Sequence, residues 1–106
     1  MLSRTAQEMI PIIRTYLSTQ PVIKAWLFGS YSRGEENPDS DVDILVQYKP
    51  ESKISLFGIS RIMVELSELL DKKVDLVEYD CLLPFAKPSA DRDKILIFEA
   101  NDYETA

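Results

Sequence analysis

Two aspartates, Asp41 and Asp43, stand at the head of the apolar run Ile44-Leu45-Val46. In an extended strand, residues two apart project from the same face. Carboxylates placed side by side repel each other, and their pKa values rise unless a cation sits between them. A divalent ion held by oxygen ligands resolves that conflict. A lone Asp-x-Asp is more often a solvated loop feature, so the pair needs support from elsewhere. One source is Asp75, set in the apolar frame Val74-Asp75-Leu76-Val77. If that strand lies beside the first, Asp75 joins the same cluster. Otherwise it is an outward polar position on an amphipathic edge strand.

The other source is Gly29-Ser30, directly after the apolar run Val22 to Phe28. A glycine there lets a phosphate approach the backbone, and a serine opening a helix offers a hydroxyl and an N–H to an anion. Most Gly-Ser pairs are plain turns. Ten residues, Tyr31 to Ser40, separate this pair from Asp41-Val42-Asp43. The combined pattern arises by chance in about one of a thousand chains of this length, so the features are read as one unit.

Composition narrows the chemistry further. The chain of 106 residues has no histidine and one cysteine, Cys81. Histidine-based triads, histidine-bound zinc and thiolate metal cages are excluded. Base chemistry falls to carboxylates, and oxygen ligands favour Mg²⁺ or Mn²⁺. The net charge of −6 supplies no basic stripe for nucleic acid. No signal-peptide core or membrane-length apolar run occurs, so a cytoplasmic protein is expected.

The elements that must position these residues fit a single domain, 1–106. Ile10, Ile13 and Leu17 predict a helix over residues 3–17, with Pro11 marking a kink or a new start. Val22 to Phe28 and Asp41 to Tyr48 read as strands, joined by a short helix near Tyr31 to Glu35 and a loop over 36–40. Ile54 to Leu70 predicts a helix with Ile59, Ile62, Met63, Leu66, Leu69 and Leu70 on one face. Lys73 to Tyr79 alternates as a third strand. Cys81 to Ala86 is expected to be helical until Pro88. Ile95-Leu96-Ile97-Phe98 fits either a last strand or a helix end, and the tail Asn101 to Ala106 is expected to be loose. Trp26 and Cys81 are expected as apolar packing residues. Helices packed on a small sheet make this an α/β chain.

The Gly-Ser, ten-residue, Asp-x-Asp pattern, the third acid Asp75 and the stretch Leu27-Phe28-Gly29-Ser30-Tyr31-Ser32-Arg33-Gly34-Glu35 resemble the DNA polymerase β-like nucleotidyltransferase superfamily. The chain is most similar to its minimal nucleotidyltransferases, small proteins paired with helical HEPN-type proteins. The resemblance covers roughly Val22 to Glu99 and shows no departure at the acids or at Gly-Ser. It implies a small mixed sheet flanked by helices. It also implies transfer of AMP from ATP to a hydroxyl, typically a tyrosine, of a HEPN-type toxin, so that the chain acts as an antitoxin.

Carried over residue by residue, Asp41, Asp43 and Asp75 become the catalytic acids and ligands of two Mg²⁺ ions, or of Mn²⁺. Asp41 and Asp43 bridge both ions, and Asp75 serves the ion that activates the incoming hydroxyl. Gly29 and Ser30 hold the β- and γ-phosphates. Arg33 contacts phosphate, or else pairs with Glu35 or Glu36. Two alternatives remain: transfer to a small molecule or an RNA end, and a non-catalytic antitoxin that neutralises its partner by contact.

Overall fold

The structure is a computed structural model that describes residues 2–100. Ser3 opens the first helix, α1 (Arg4–Leu17), by accepting the Ala6 N–H at 3.1 Å. This satisfies one of the donors that a helix start leaves over. Pro11 lies inside α1 without ending it. It stands on the exposed side, where the carbonyl it cannot serve faces water. The inward side, Ala6, Met9, Ile13 and Leu17, is buried.

Four strands form one mixed sheet. β1 (Val22–Phe28) pairs antiparallel with β2 (Val42–Tyr48) on one side and with β4 (Ile95–Glu99) on the other. β3 (Val74–Glu78) lies parallel to β2. The spatial order is β3-β2-β1-β4. A parallel pair needs a crossover, and α3 (Leu56–Leu70) provides it. Short helices α2 (Ser30–Arg33) and α4 (Lys87–Asp93) follow β1 and precede β4. The expected α/β architecture, a small mixed sheet flanked by helices, is the one observed.

Strand alternation divides the sheet into two faces. Ala25, Leu27, Val42, Ile44, Val46, Val74 and Ile97 pack with the apolar sides of α1 and α3 in the main core. Trp26 and Leu45 point the other way, into a smaller cluster with Ala90 of α4, flanked by Phe28, Val77, Tyr79 and Leu82. Trp26 is therefore a core residue, with Lys94 Nζ 5.0 Å above its ring. Asp43 and Asp75 share the alternation of Leu45 and Val77, so they project from this second face.

Several expectations need correction. Cys81 to Ala86 is not one helix: a 3₁₀ turn occupies Tyr79–Cys81. Pro88 does not stop a helix but sits in the first turn of α4, where its missing N–H costs nothing. Ile95 to Phe98, which left a last strand and a helix end open, lies in a strand. The third helix begins at Leu56, because the Ser55 hydroxyl accepts the Gly58 N–H at 3.1 Å and caps it there. Leu69 is 53% exposed, outside the buried stripe Ile62, Leu66 and Leu70. Cys81 is exposed, its thiol 3.0 Å from a Glu78 carboxylate oxygen that pushes its pKa up. The tail Asn101 to Ala106 lies outside the described residues. No helix among the described residues is long and apolar enough to cross a membrane.

Ser67 ties α3 to the third strand. Its hydroxyl donates to the Met63 carbonyl at 2.8 Å and accepts the Val74 N–H at 3.1 Å, one residue before Asp75. Ser67→Ala leaves that half-buried N–H without its partner. We expect a loss of about 1–2 kcal/mol in urea unfolding; an unchanged midpoint would show that water replaces the hydroxyl at no cost.

Candidate active site

The site is assembled where β1 ends and β2 and β3 begin. Phe28, the last residue of β1, is paired with Asp43. The next residue, Gly29, takes φ +74° and ψ −153°, a backbone region essentially restricted to glycine. A Cβ at Gly29 would lie 2.4 Å from Oδ2 of Asp43. The missing side chain is what lets the backbone pass against that carboxylate. The chain then turns into α2, whose Ser32 hydroxyl and N–H and Arg33 N–H all return to the Gly29 carbonyl, at 2.8, 3.2 and 3.3 Å. Tyr31, 1% exposed, anchors the turn in the core. Ser30 and Arg33 are its first and last residues.

In the parallel register Asp43 stands directly opposite Asp75, so both carboxylates leave the same face. Asp41 enters from the loop just before β2. That loop is closed by Ser40, whose hydroxyl accepts the Asn37 N–H at 2.9 Å, and by the Asn37 side chain accepting the Asp39 N–H at 2.8 Å. The Val42 N–H donates to the Lys73 carbonyl at 2.9 Å and ties the starts of β2 and β3 together. Lys73 Nζ lies 3.7 Å from Asp41.

The electrostatics follow from this crowding. Burial holds the Asp43 carboxyl above the usual carboxylate range, and the charges of Asp75 and Asp41 push it further, while Arg33 opposes them. Arg33 pairs with Glu35 at 2.7 Å and reaches Asp93 at 3.5 Å. Its ion-pair reading therefore holds for Glu35, and its charge is also felt at Asp43. Asp93 and Lys73 are the neighbours that sequence reasoning missed. Asp93 reaches the site only because β4 pairs with β1, and the Ile95–Phe98 run did not by itself reveal a strand. Lys73 directly precedes the Asp75 strand, and a cation beside a proposed acid cluster was the available signal.

Among the described residues no group of three acids is already drawn into the geometry that would hold a metal ion. The donor set nevertheless suits one. Three carboxylates supply only oxygen ligands; burial does most to raise Asp43, and the charges of Asp75 and Asp41 add a repulsion that a divalent cation would relieve.

This sheet and helix arrangement is that of the DNA polymerase β-like nucleotidyltransferases. A candidate minimal nucleotidyltransferase of solved structure superposes with a TM-score of 0.75 at 27% identity, over 90% of this chain and 95% of that one. Residues 10–100 match the nucleotidyltransferase domain family, and the chain belongs to that family. A candidate protein adenylyltransferase of Methanocaldococcus jannaschii is 37% identical over 86 residues, 81% of this chain and 86% of that protein. The fold is shared, at 19% identity and a TM-score of 0.61, with a chain in the complex of a tri-AMPylated Shewanella oneidensis HEPN toxin and its MNT antitoxin, over 92% of this chain and 72% of that one.

Proposed function

We propose that this nucleotidyltransferase moves AMP from ATP onto a hydroxyl, a tyrosine, of a HEPN-type toxin and silences the toxin by that modification. The observation that carries the reading is the placement of Asp43 directly opposite Asp75, with Gly29 backed against Asp43. One pair of strands and one strand exit thus bring Asp43, Asp75 and the Gly29 backbone together.

Asp41, Asp43 and Asp75 are the residues that would hold two divalent cations, Mg²⁺ or Mn²⁺. Such ions, when bound, stabilise charge on the phosphoryl oxygens and lower the pKa of an attacking hydroxyl. The backbone at Gly29 and the Ser30 hydroxyl hold the terminal phosphates. Arg33 adds a guanidinium to their oxygens, exchanging an exposed ion pair of small worth for a charge-assisted contact. The acceptor oxygen bonds to the α-phosphorus as the bond to the bridging oxygen breaks. Pyrophosphate leaves, and Asp75 takes the proton.

The test is incubation of the chain with Mg²⁺, labelled ATP and the HEPN-type protein encoded beside it. Label should enter the partner and be lost when Asp41 and Asp43 are replaced. Label entering RNA or a small hydroxyl compound instead would establish the small-substrate alternative. Inhibition of an unlabelled partner by Asp43→Ala would establish neutralisation by contact. Arg33→Ala should raise the KM for ATP about tenfold or more, the worth of a hydrogen bond between charged groups. An unchanged KM would confine Arg33 to its pairs with Glu35 and Asp93.

A further inference from the structure

Helix α4 covers the sheet face from which Asp43 and Asp75 project, through Ala90 in the cluster with Trp26 and Leu45. Its last residue, Asp93, holds Oδ2 3.5 Å from Nη1 of Arg33, while Oδ1 lies 3.7 Å from Nε of Arg92. We propose that Asp93 is a positioning residue: it keeps the Arg33 guanidinium in place for the triphosphate before ATP arrives. This rests on the phosphate contact proposed above for Arg33.

Arg33 has two acidic partners, and they differ in how they are held. Glu35 takes Nε at 2.7 Å, but its side chain is 65% exposed and follows Arg33 by two residues on the same surface turn. Such a pair costs little to break, and phosphate oxygens can replace it. The Asp93 side chain is 22% exposed and belongs to a helix fastened to the sheet. Lys94, the next residue, has Nζ 5.0 Å above the Trp26 ring and 4.5 Å above the Tyr79 ring, and it pairs with Asp91 at 2.6 Å. The Tyr79 hydroxyl, at the exit of β3, donates to the same Asp91 oxygen at 2.6 Å. Asp93 therefore stands on a fixed frame, whereas Glu35 moves with the residue it pairs. A guanidinium carries five N–H donors, so one can stay on Asp93 while others turn to phosphate. Holding a long side chain in its working geometry removes part of the ordering cost that binding would otherwise carry. Arg33 already acts on the acid-bearing face, since its charge opposes the upward shift of Asp43.

The test is ATP affinity by calorimetry, with Mg²⁺ and no acceptor, so it does not depend on where AMP is transferred. Asp93→Asn should raise the Kd for ATP about three- to tenfold, the scale of losing one side chain held in advance. Asp93→Glu should recover most of that affinity, because the charge is kept. Glu35→Gln should leave the Kd within about twofold or tighten it, since an exposed competitor is removed. In an Arg33→Ala background, Asp93→Asn should add less than about twofold, because its effect runs through Arg33. An unchanged Kd for Asp93→Asn, even with a lowered urea midpoint, would make Asp93 merely structural and overturn the proposal. So would a rise of the same size in the Arg33→Ala background, or one of the same size for Glu35→Gln. A native chain that binds no ATP would overturn this role together with the transfer reading. Failure to label the HEPN-type protein, with ATP bound as expected, would overturn the acceptor alone and leave Asp93 in its role.

Discussion

Asp43→Asn is expected to lower AMP transfer by about a thousand-fold or more, the scale of losing one preorganised electrostatic contact at a reacting phosphorus, and yet to melt no lower than the native chain without added divalent cation. Both halves have one cause. Asp43 is half-buried and faces Asp75 across the strand pair, with Asp41 close by. Its charge is unfavourable to the fold, and in the proposed reaction it serves to hold the cation. The sign of the pH dependence is fixed by the direction of the shift. Because the folded carboxyl lies above its ordinary range, the folded chain holds that proton more tightly than the unfolded one. The penalty is therefore present above the folded pKa and disappears as pH falls through it. The stability gap between Asn variant and native chain should be widest near neutrality and close on acidification. Thermal melts across pH measure this directly; a variant several degrees less stable at neutral pH would mean that Asp43 is a structural residue.

Gly29→Ala should be damaging in two separable ways. The methyl group would lie 2.4 Å from Oδ2 of Asp43, so the carboxylate must move. The backbone at φ +74° and ψ −153° strains any residue with a Cβ, at about 1–3 kcal/mol. We expect urea unfolding to show a loss of that size and transfer to fall about a hundred-fold, since small misplacements at a reacting centre are costly. The loss should appear in kcat more than in acceptor KM, because the acceptor side of the site is untouched. Full activity in a destabilised variant would separate Gly29 from the chemistry and leave it only a turn.

The candidate site was legible because its residues violate their surroundings. Aspartates inside apolar strands, and a Gly-Ser step straight after one, demand an explanation that surface acids do not. The strands themselves were legible from unbroken apolar runs such as Val22 to Phe28. What failed was decided by partners distant in the chain. Pro88 reads equally as a stop or a start until the fold shows which side is helical. Leu69 fits the apolar spacing of α3, but the sheet covers a narrower stripe than the spacing allows. Asp93 is an ordinary charge in sequence and meets Arg33 at 3.5 Å only through the closure of the last strand onto the first.

That closure also sets a timetable for the newborn protein. Lys24 is matched with Glu99, about 75 residues further on, and their side chains meet at 3.4 Å. Arg14 reaches the Ile97 carbonyl at 2.6 Å across a similar span. During synthesis, at about 5–20 residues per second, the flank of β1 waits roughly 4–15 s for its neighbour. An unpaired strand flank invites pairing with other chains for as long as it stays open. Proteolytic trimming into the last strand would reopen it in the finished molecule. Protection of that flank of β1 therefore depends on Ile95–Glu99, a strand at the far end of the described chain.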